Sequence, residues 1–149
     1  MQRIFTAFLI CLIGLGSLRA QTPYAWTFSS KKTADKTYEI HCMVDVNAPW
    51  HTYSQFTPEG GPVPTKFVFA KNPLFIEAGS VKENGKMITR HEDVFGVDVK
   101  YFEGRVDFVQ VIKIKSAAKT NCMGTVTFMV CNDQQCLPPV TQKFTVALN

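Results

Sequence analysis

The chain has 149 residues, room for one domain of ordinary size but not for two sizeable ones. Its 46% hydrophobic and 19% charged residues exclude wholesale disorder. The balance of 16 Lys+Arg against 12 Asp+Glu gives a formal charge of +4, and 5 cysteines need an explanation. A disulfide-free cytosolic domain rarely keeps so many, and a disulfide scaffold is usually shorter and richer in Cys.

Residues 1–20 read MQRIFTAFLICLIGLGSLRA. Arg3 precedes an apolar run over 4–15, and a small, polar exit ends at Ala20. That pattern predicts a cleaved secretory signal peptide over 1–20, followed by a domain over 21–149 in the periplasm or outside the cell. The apolar run is short for a retained membrane anchor. Cys11 is a poor lipidation site because Ile10, not a small residue, precedes it. Cleavage removes Arg3 and Arg19, which lowers the charge from +4 to +2. Beyond Lys31-Lys32 no basic cluster remains, so nucleic acid is not an expected partner. Four cysteines survive, Cys42, Cys122, Cys131 and Cys136, in a compartment that permits disulfides.

The mature chain shows no helical period and repeated alternation with period two. Tyr24, Trp26 and Phe28 alternate with small or polar residues. The polar stretch 29–36 reads as a mobile connection. Tyr38, Ile40, Cys42, Val44 and Val46 share one face of the next strand. Further strands are predicted over 65–70, 86–91 and 97–102. Val106, Phe108, Ile112 and Ile114 share the face of another, and the last two cover 123–131 and 142–148. Turn signals lie at Asn47-Ala48-Pro49, 58–62, Asn72-Pro73, Glu83-Asn84-Gly85 and Glu103-Gly104. Seven to nine short strands predict an all-β fold, an immunoglobulin-like antiparallel β-sandwich.

Cys131 and Cys136 form a Cys-x4-Cys in VCNDQQCLPP. Asn132 and Asp133 favour a turn that would bring the two sulfurs together. A six-residue closed loop is assigned about 2 kcal/mol in the chain-entropy model, against about 4.5 kcal/mol for a loop of roughly eighty residues. A bridge here is a weak staple and a reasonable redox switch, so structural and redox readings both stand. Asp133 lies between the cysteines, and no Lys, Arg or His lies within five residues on either side. Nothing local favours a thiolate. Cys42 and Cys122 both have inward strand parity. They predict either a cross-sheet bridge or two buried free thiols. His41, His51, His91, Met123 and Met129 have no metal-ligand spacing, so no metal site and no cofactor is expected.

Three segments together resemble the N-terminal periplasmic domain of DsbD, the thiol:disulfide interchange protein. VCNDQQCLPP resembles its active-site segment, with two cysteines followed by Pro-Pro. His91-Glu92-Asp93-Val94-Phe95-Gly96 resembles its cap loop. Pro49-Trp50-His51-Thr52-Tyr53-Ser54 resembles its early aromatic strand. They occur in family order and span about residues 37–146. The resemblance implies an immunoglobulin-like fold and electron transfer between periplasmic proteins. It implies that Cys131 and Cys136 are the redox pair, with Cys136 as nucleophile and Cys131 resolving the mixed disulfide. Phe95 would cap the pair, and Glu92, Asp93 and Tyr53 would line the site. It implies thioredoxin-like partners, electrons fed through a membrane transporter, and no small-molecule substrate. The domain is expected to be a monomer.

Two departures stand beside the resemblance. No transmembrane channel or thioredoxin-like domain follows Asn149, so the chain either works with a separate membrane protein or has left the relay. The family also offers no counterpart of Cys42 and Cys122. The expected function is therefore protein thiol–disulfide exchange, as part of a protein-disulfide reductase system. The alternative is a non-enzymatic immunoglobulin-like interaction module whose Cys131–Cys136 disulfide fixes a binding loop. A metal chaperone is the third reading.

Overall fold

Alternation along one long strand puts Tyr38, Ile40, Cys42, Val44 and Val46 on a single face, and all five are buried. That strand belongs to a computed structural model describing residues 22–116 and 119–149. Its elements are β1 (Tyr24–Ala34), β2 (Thr37–Tyr53), β3 (Lys66–Phe69), β4 (Phe75–Asn84) and β5 (Met87–Glu92). Then follow β6 (Val97–Ile114), β7 (Thr120–Phe128), β8 (Val130–Cys131) and β9 (Val140–Leu148). No helix occurs among the described residues. The expected signal peptide, 1–20, lies outside them.

The larger sheet runs β1-β2-β6-β4, with β5 also on β6 and β8 also on β2. The smaller runs β3-β7-β9. Every pairing is antiparallel. The architecture is the expected all-β, immunoglobulin-like sandwich. Its main core joins Ile40, Val44, Phe108 and Ile112 of the larger sheet to Cys122, Val126, Phe128 and Phe144 of the smaller. Apolar burial on this scale is what holds two sheets face to face.

Several local readings change. The polar stretch 29–36 is no loose connection. Residues through Ala34 belong to β1, and Ser29 to Lys32 pair in register with His41 to Tyr38. Backbone pairing there needs no apolar side chains, because this part of β1 is an edge ladder largely open to solvent. The strands expected over 97–102 and from Val106 are one strand, β6. Glu103-Gly104 therefore makes no turn. Gly104 adopts φ 72°, and the β2 register jumps opposite it from Val46 to His51. Asn47-Ala48-Pro49 lies in that irregularity and does not end β2. A bulge re-aims a strand without terminating it. The run expected over 123–131 breaks at Met129: β7 pairs within the smaller sheet and β8 within the larger. One strand, β4, was not legible. It is an exposed edge strand with a register shift around Gly79, whose φ is 79°.

Candidate functional site

The irregularity in β2 determines what its end can touch. After the jump, His51, Thr52 and Tyr53 pair with Glu103, Phe102 and Tyr101 of β6 on one side. On the other side His51 pairs with Cys131 and Thr52 with Val130 of β8. β5 continues the same end of the sheet, with Ile88 opposite Tyr101 and Glu92 opposite Val97. Tyr53, Val99, Tyr101 and Cys131 form a small second core there.

Cys131 and Cys136 are joined by a disulfide with their Cα atoms 4.0 Å apart. The turn between them is held by Asn132. Its backbone N–H donates to the Gln135 carbonyl at 2.9 Å. Its side-chain Oδ1 accepts from the backbone N–H groups of Gln134 and Gln135 at 2.9 and 2.8 Å. Past Cys136, the Leu137 N–H donates to the Val130 carbonyl at 2.9 Å. The short polar loop is thus closed by hydrogen bonds as well as by sulfur. The two cysteines are unequal. Cys131 is 2% exposed, whereas Cys136 is open to solvent.

A hollow of about 140 Å³ over the disulfide is lined by His51, Tyr53, Arg90, Glu92 and Phe95, and by Cys131, Asn132, Asp133 and Cys136. Phe95 comes from the β5–β6 hairpin, where the N–H groups of Phe95 and Gly96 both donate to the Glu92 carbonyl, at 3.0 and 2.8 Å. Gly96 takes φ 66°, a conformation that suits glycine and closes the turn. The ring is 41% exposed. Five expected site residues therefore meet in one place: Tyr53, Glu92 and Phe95 wall the hollow over Cys131 and Cys136. Asp93 does not. Its carboxylate projects into solvent, 3.8 Å from His91 Nε2, because the tight turn aims it away from the hollow.

The local charge reading also changes. Arg90 arrives from β5 and binds Glu92, with Nε donating to Oε1 at 2.6 Å, and it lies 4.0 Å from Asp133. It also sits 5.6 Å from the Tyr101 ring centre. Cross-strand register, not chain distance, brings Arg90 and His51 to the cysteines. His51 shares strand parity with Tyr53, two residues on in the same aromatic segment, and that is its signal in the sequence. Its Nε2 lies 3.0 Å from the Tyr53 hydroxyl. Burial, with Arg90 nearby, lowers its pKa below the ordinary 6.5. Burial pushes the Tyr53 phenol up to about 12, so it remains protonated.

Cys42 and Cys122 are buried free thiols, on β2 and β7 in facing sheets. The cross-sheet bridge that parity allowed is not formed. Both thiols fill the main core as small apolar groups. Burial raises the Cys42 pKa steeply, helped by Cys122 and Asp107, and pushes Cys122 up to about 11. Neither is a thiolate at neutral pH. Among the described residues, no group of three or more His, Cys, Asp or Glu is placed to hold a metal ion.

The family model for the thiol:disulfide interchange protein DsbD, N-terminal, matches residues 19–148. Among curated proteins no sequence matches. The reduced DsbD N-terminal domain of Neisseria meningitidis is similar in structure, with TM-score 0.53 and 14% identity over 84% of this chain and 86% of that one. The N-terminal periplasmic domain of ScsB from Proteus mirabilis gives TM-score 0.51 and 16% identity over 84% of this chain. The match spans 44% of that ScsB chain. A complex between the DsbD and PilB N-terminal domains of Neisseria meningitidis gives TM-score 0.50 and 12% identity, over 85% of this chain and 87% of that one. The chain belongs to the family of the N-terminal domain of the thiol:disulfide interchange protein DsbD.

Proposed function

We propose that this domain exchanges disulfides with protein partners through Cys131 and Cys136, as one component of a protein-disulfide reductase system. The observation that carries the reading is the asymmetry of the pair: one cysteine exposed, one buried, in a hollow walled by an aromatic ring. Exchange needs in-line attack by a thiolate on one sulfur while the other leaves. The exposed Cys136 is the sulfur a partner can reach, and the buried Cys131 is the one that closes or opens behind it. Phe95 shields the pair until a partner moves the hairpin. Glu92 and Tyr53 complete the wall. Thioredoxin-like domains present a suitably exposed thiol, and electrons would reach them through a membrane thiol transporter. In this reading the domain works as a monomer in the periplasm, after removal of residues 1–20. Among the described residues no helix is long and apolar enough to cross a membrane.

The measurement that tests exchange against a merely structural bridge is the reduction potential. Titration against glutathione and dithiothreitol buffers should give a potential above about −300 mV, in the range of reactive disulfides. A value below that would make the disulfide a loop staple. Replacing Phe95 by Ala should speed reduction of the disulfide by small thiols several-fold, with no change in fold. An unchanged rate would remove the shielding role.

A further inference from the structure

His51 is one residue of the site whose chemistry the exchange reading leaves unused. It is 7% exposed and directly opposite Cys131 in the β2–β8 pairing. Residues opposite one another on antiparallel strands carry side chains on the same face, with Cβ atoms about 5 Å apart. Both side chains line the hollow over the disulfide. The imidazole is fixed in place by packing against Tyr101, ring centres 4.6 Å apart, and by the Tyr53 hydroxyl 3.0 Å from Nε2.

Cys131 has a difficulty that this placement answers. After Cys136 has formed a mixed disulfide, the resolving sulfur must lose its proton inside a small apolar core. A buried thiolate is costly without a nearby acceptor. Resting on the exchange reading above, we propose that His51 is the proton acceptor for Cys131 in the resolving step. The Cys131 S–H bond breaks, its proton passes to the unprotonated nitrogen of the His51 imidazole, and its sulfur bonds to Cys136 Sγ. The bond from Cys136 to the partner breaks, and the partner's sulfur leaves with the electron pair as a thiolate. The partner is reduced by two electrons and the Cys131–Cys136 pair is oxidised. In the reverse direction the imidazolium returns the proton to Cys131.

The surroundings suit both states of the ring. From its own strand Tyr53 faces it, and from β6 Tyr101 and Glu103 do so. Arg90 and Glu92 approach from β5, and Cys131 and Asp133 from β8 and its loop. Burial and Arg90 keep the imidazole neutral near pH 7, ready to accept. The carboxylates of Glu92, Glu103 and Asp133 favour the cation once a proton arrives. The Tyr53 hydroxyl can donate to or accept from Nε2, so it follows the ring through either tautomer and through the cation.

The test uses the reduced full domain and oxidised glutathione as probe. Acid quenching and mass measurement follow the Cys136–glutathione species as Cys131 displaces it. In the unmodified protein the decay rate should fall with acid through an inflection below pH 6.5 and stay level above it. That inflection should coincide with the His51 titration seen by NMR. In His51→Gln the mixed disulfide should persist about a hundredfold longer at pH 7, as general-base loss predicts, and its decay should climb steadily with pH. Equal lifetimes in the two proteins would overturn the inference. If the variant does not fold, the unmodified protein decides: decay climbing through pH 5–8 without an inflection, or one that misses the NMR titration, overturns it. Failure of Cys131→Ser to form any Cys136 mixed disulfide would overturn the exchange reading, and the role of His51 with it.

Discussion

Cys131→Ser should convert the domain into a trap. A partner disulfide attacked by Cys136 forms a mixed disulfide, and with no second sulfur the bond is not resolved. Cys136→Ser should trap nothing, because the remaining thiol at position 131 is 2% exposed and packed against Tyr53, Val99 and Tyr101. The contrast is all-or-none in principle, since it depends on access and not on a graded energy. Non-reducing electrophoresis with a thioredoxin-like partner reads it directly. Trapping by Cys136→Ser alone would reverse the two roles. Trapping by neither would leave a non-enzymatic interaction module as the better account.

The second large effect lies in the core. Phe108 is fully buried, and its ring meets Trp26 at 5.9 Å, Phe67 at 5.2 Å and Phe102 at 6.2 Å between centres. These rings come from β1, β3 and β6, so Phe108 joins both sheets. Phe108→Ala should cost about 3–5 kcal/mol, through lost transfer energy and the cavity left behind. For a domain whose total stability is about 5–15 kcal/mol, that is a large share. Urea unfolding should show the loss as a lower midpoint with an unchanged slope. A loss under about 1 kcal/mol would mean that the neighbouring rings collapse into the space.

Residues buried on one face were legible because alternation is a direct imprint of the pleat. Tyr38 to Val46 announced β2 in this way. β4 has little inward-facing apolar pattern and is specified by pairing with β6, so it left no comparable imprint. Glu103-Gly104 carried a turn signal, yet the same glycine conformation serves a bulge inside β6, and only the partner strand decides between them. The site divides similarly. Its three chain segments could be read separately, and the likeness of residues 91–96 to a cap loop pointed to Phe95. Asp93 points into solvent instead of into the hollow, because neighbouring residues of a tight turn aim their side chains in different directions. His51 and Arg90 depend on register across strands, which no local spacing encodes.

The change of sheet at Met129 has a mechanical meaning. The chain leaves the smaller sheet at Phe128 and is fixed to the larger one at Val130 and Cys131. Thr52 Oγ1 clasps the Met129 carbonyl at the crossing, at 3.2 Å. Cys131 is thus moored by backbone on two sides, and the Val130 carbonyl holds the returning chain at Leu137. Breaking the sulfur bond slackens only the few residues between. The frame is riveted at its base like a clasp, and the sulfur bond closes only the hook.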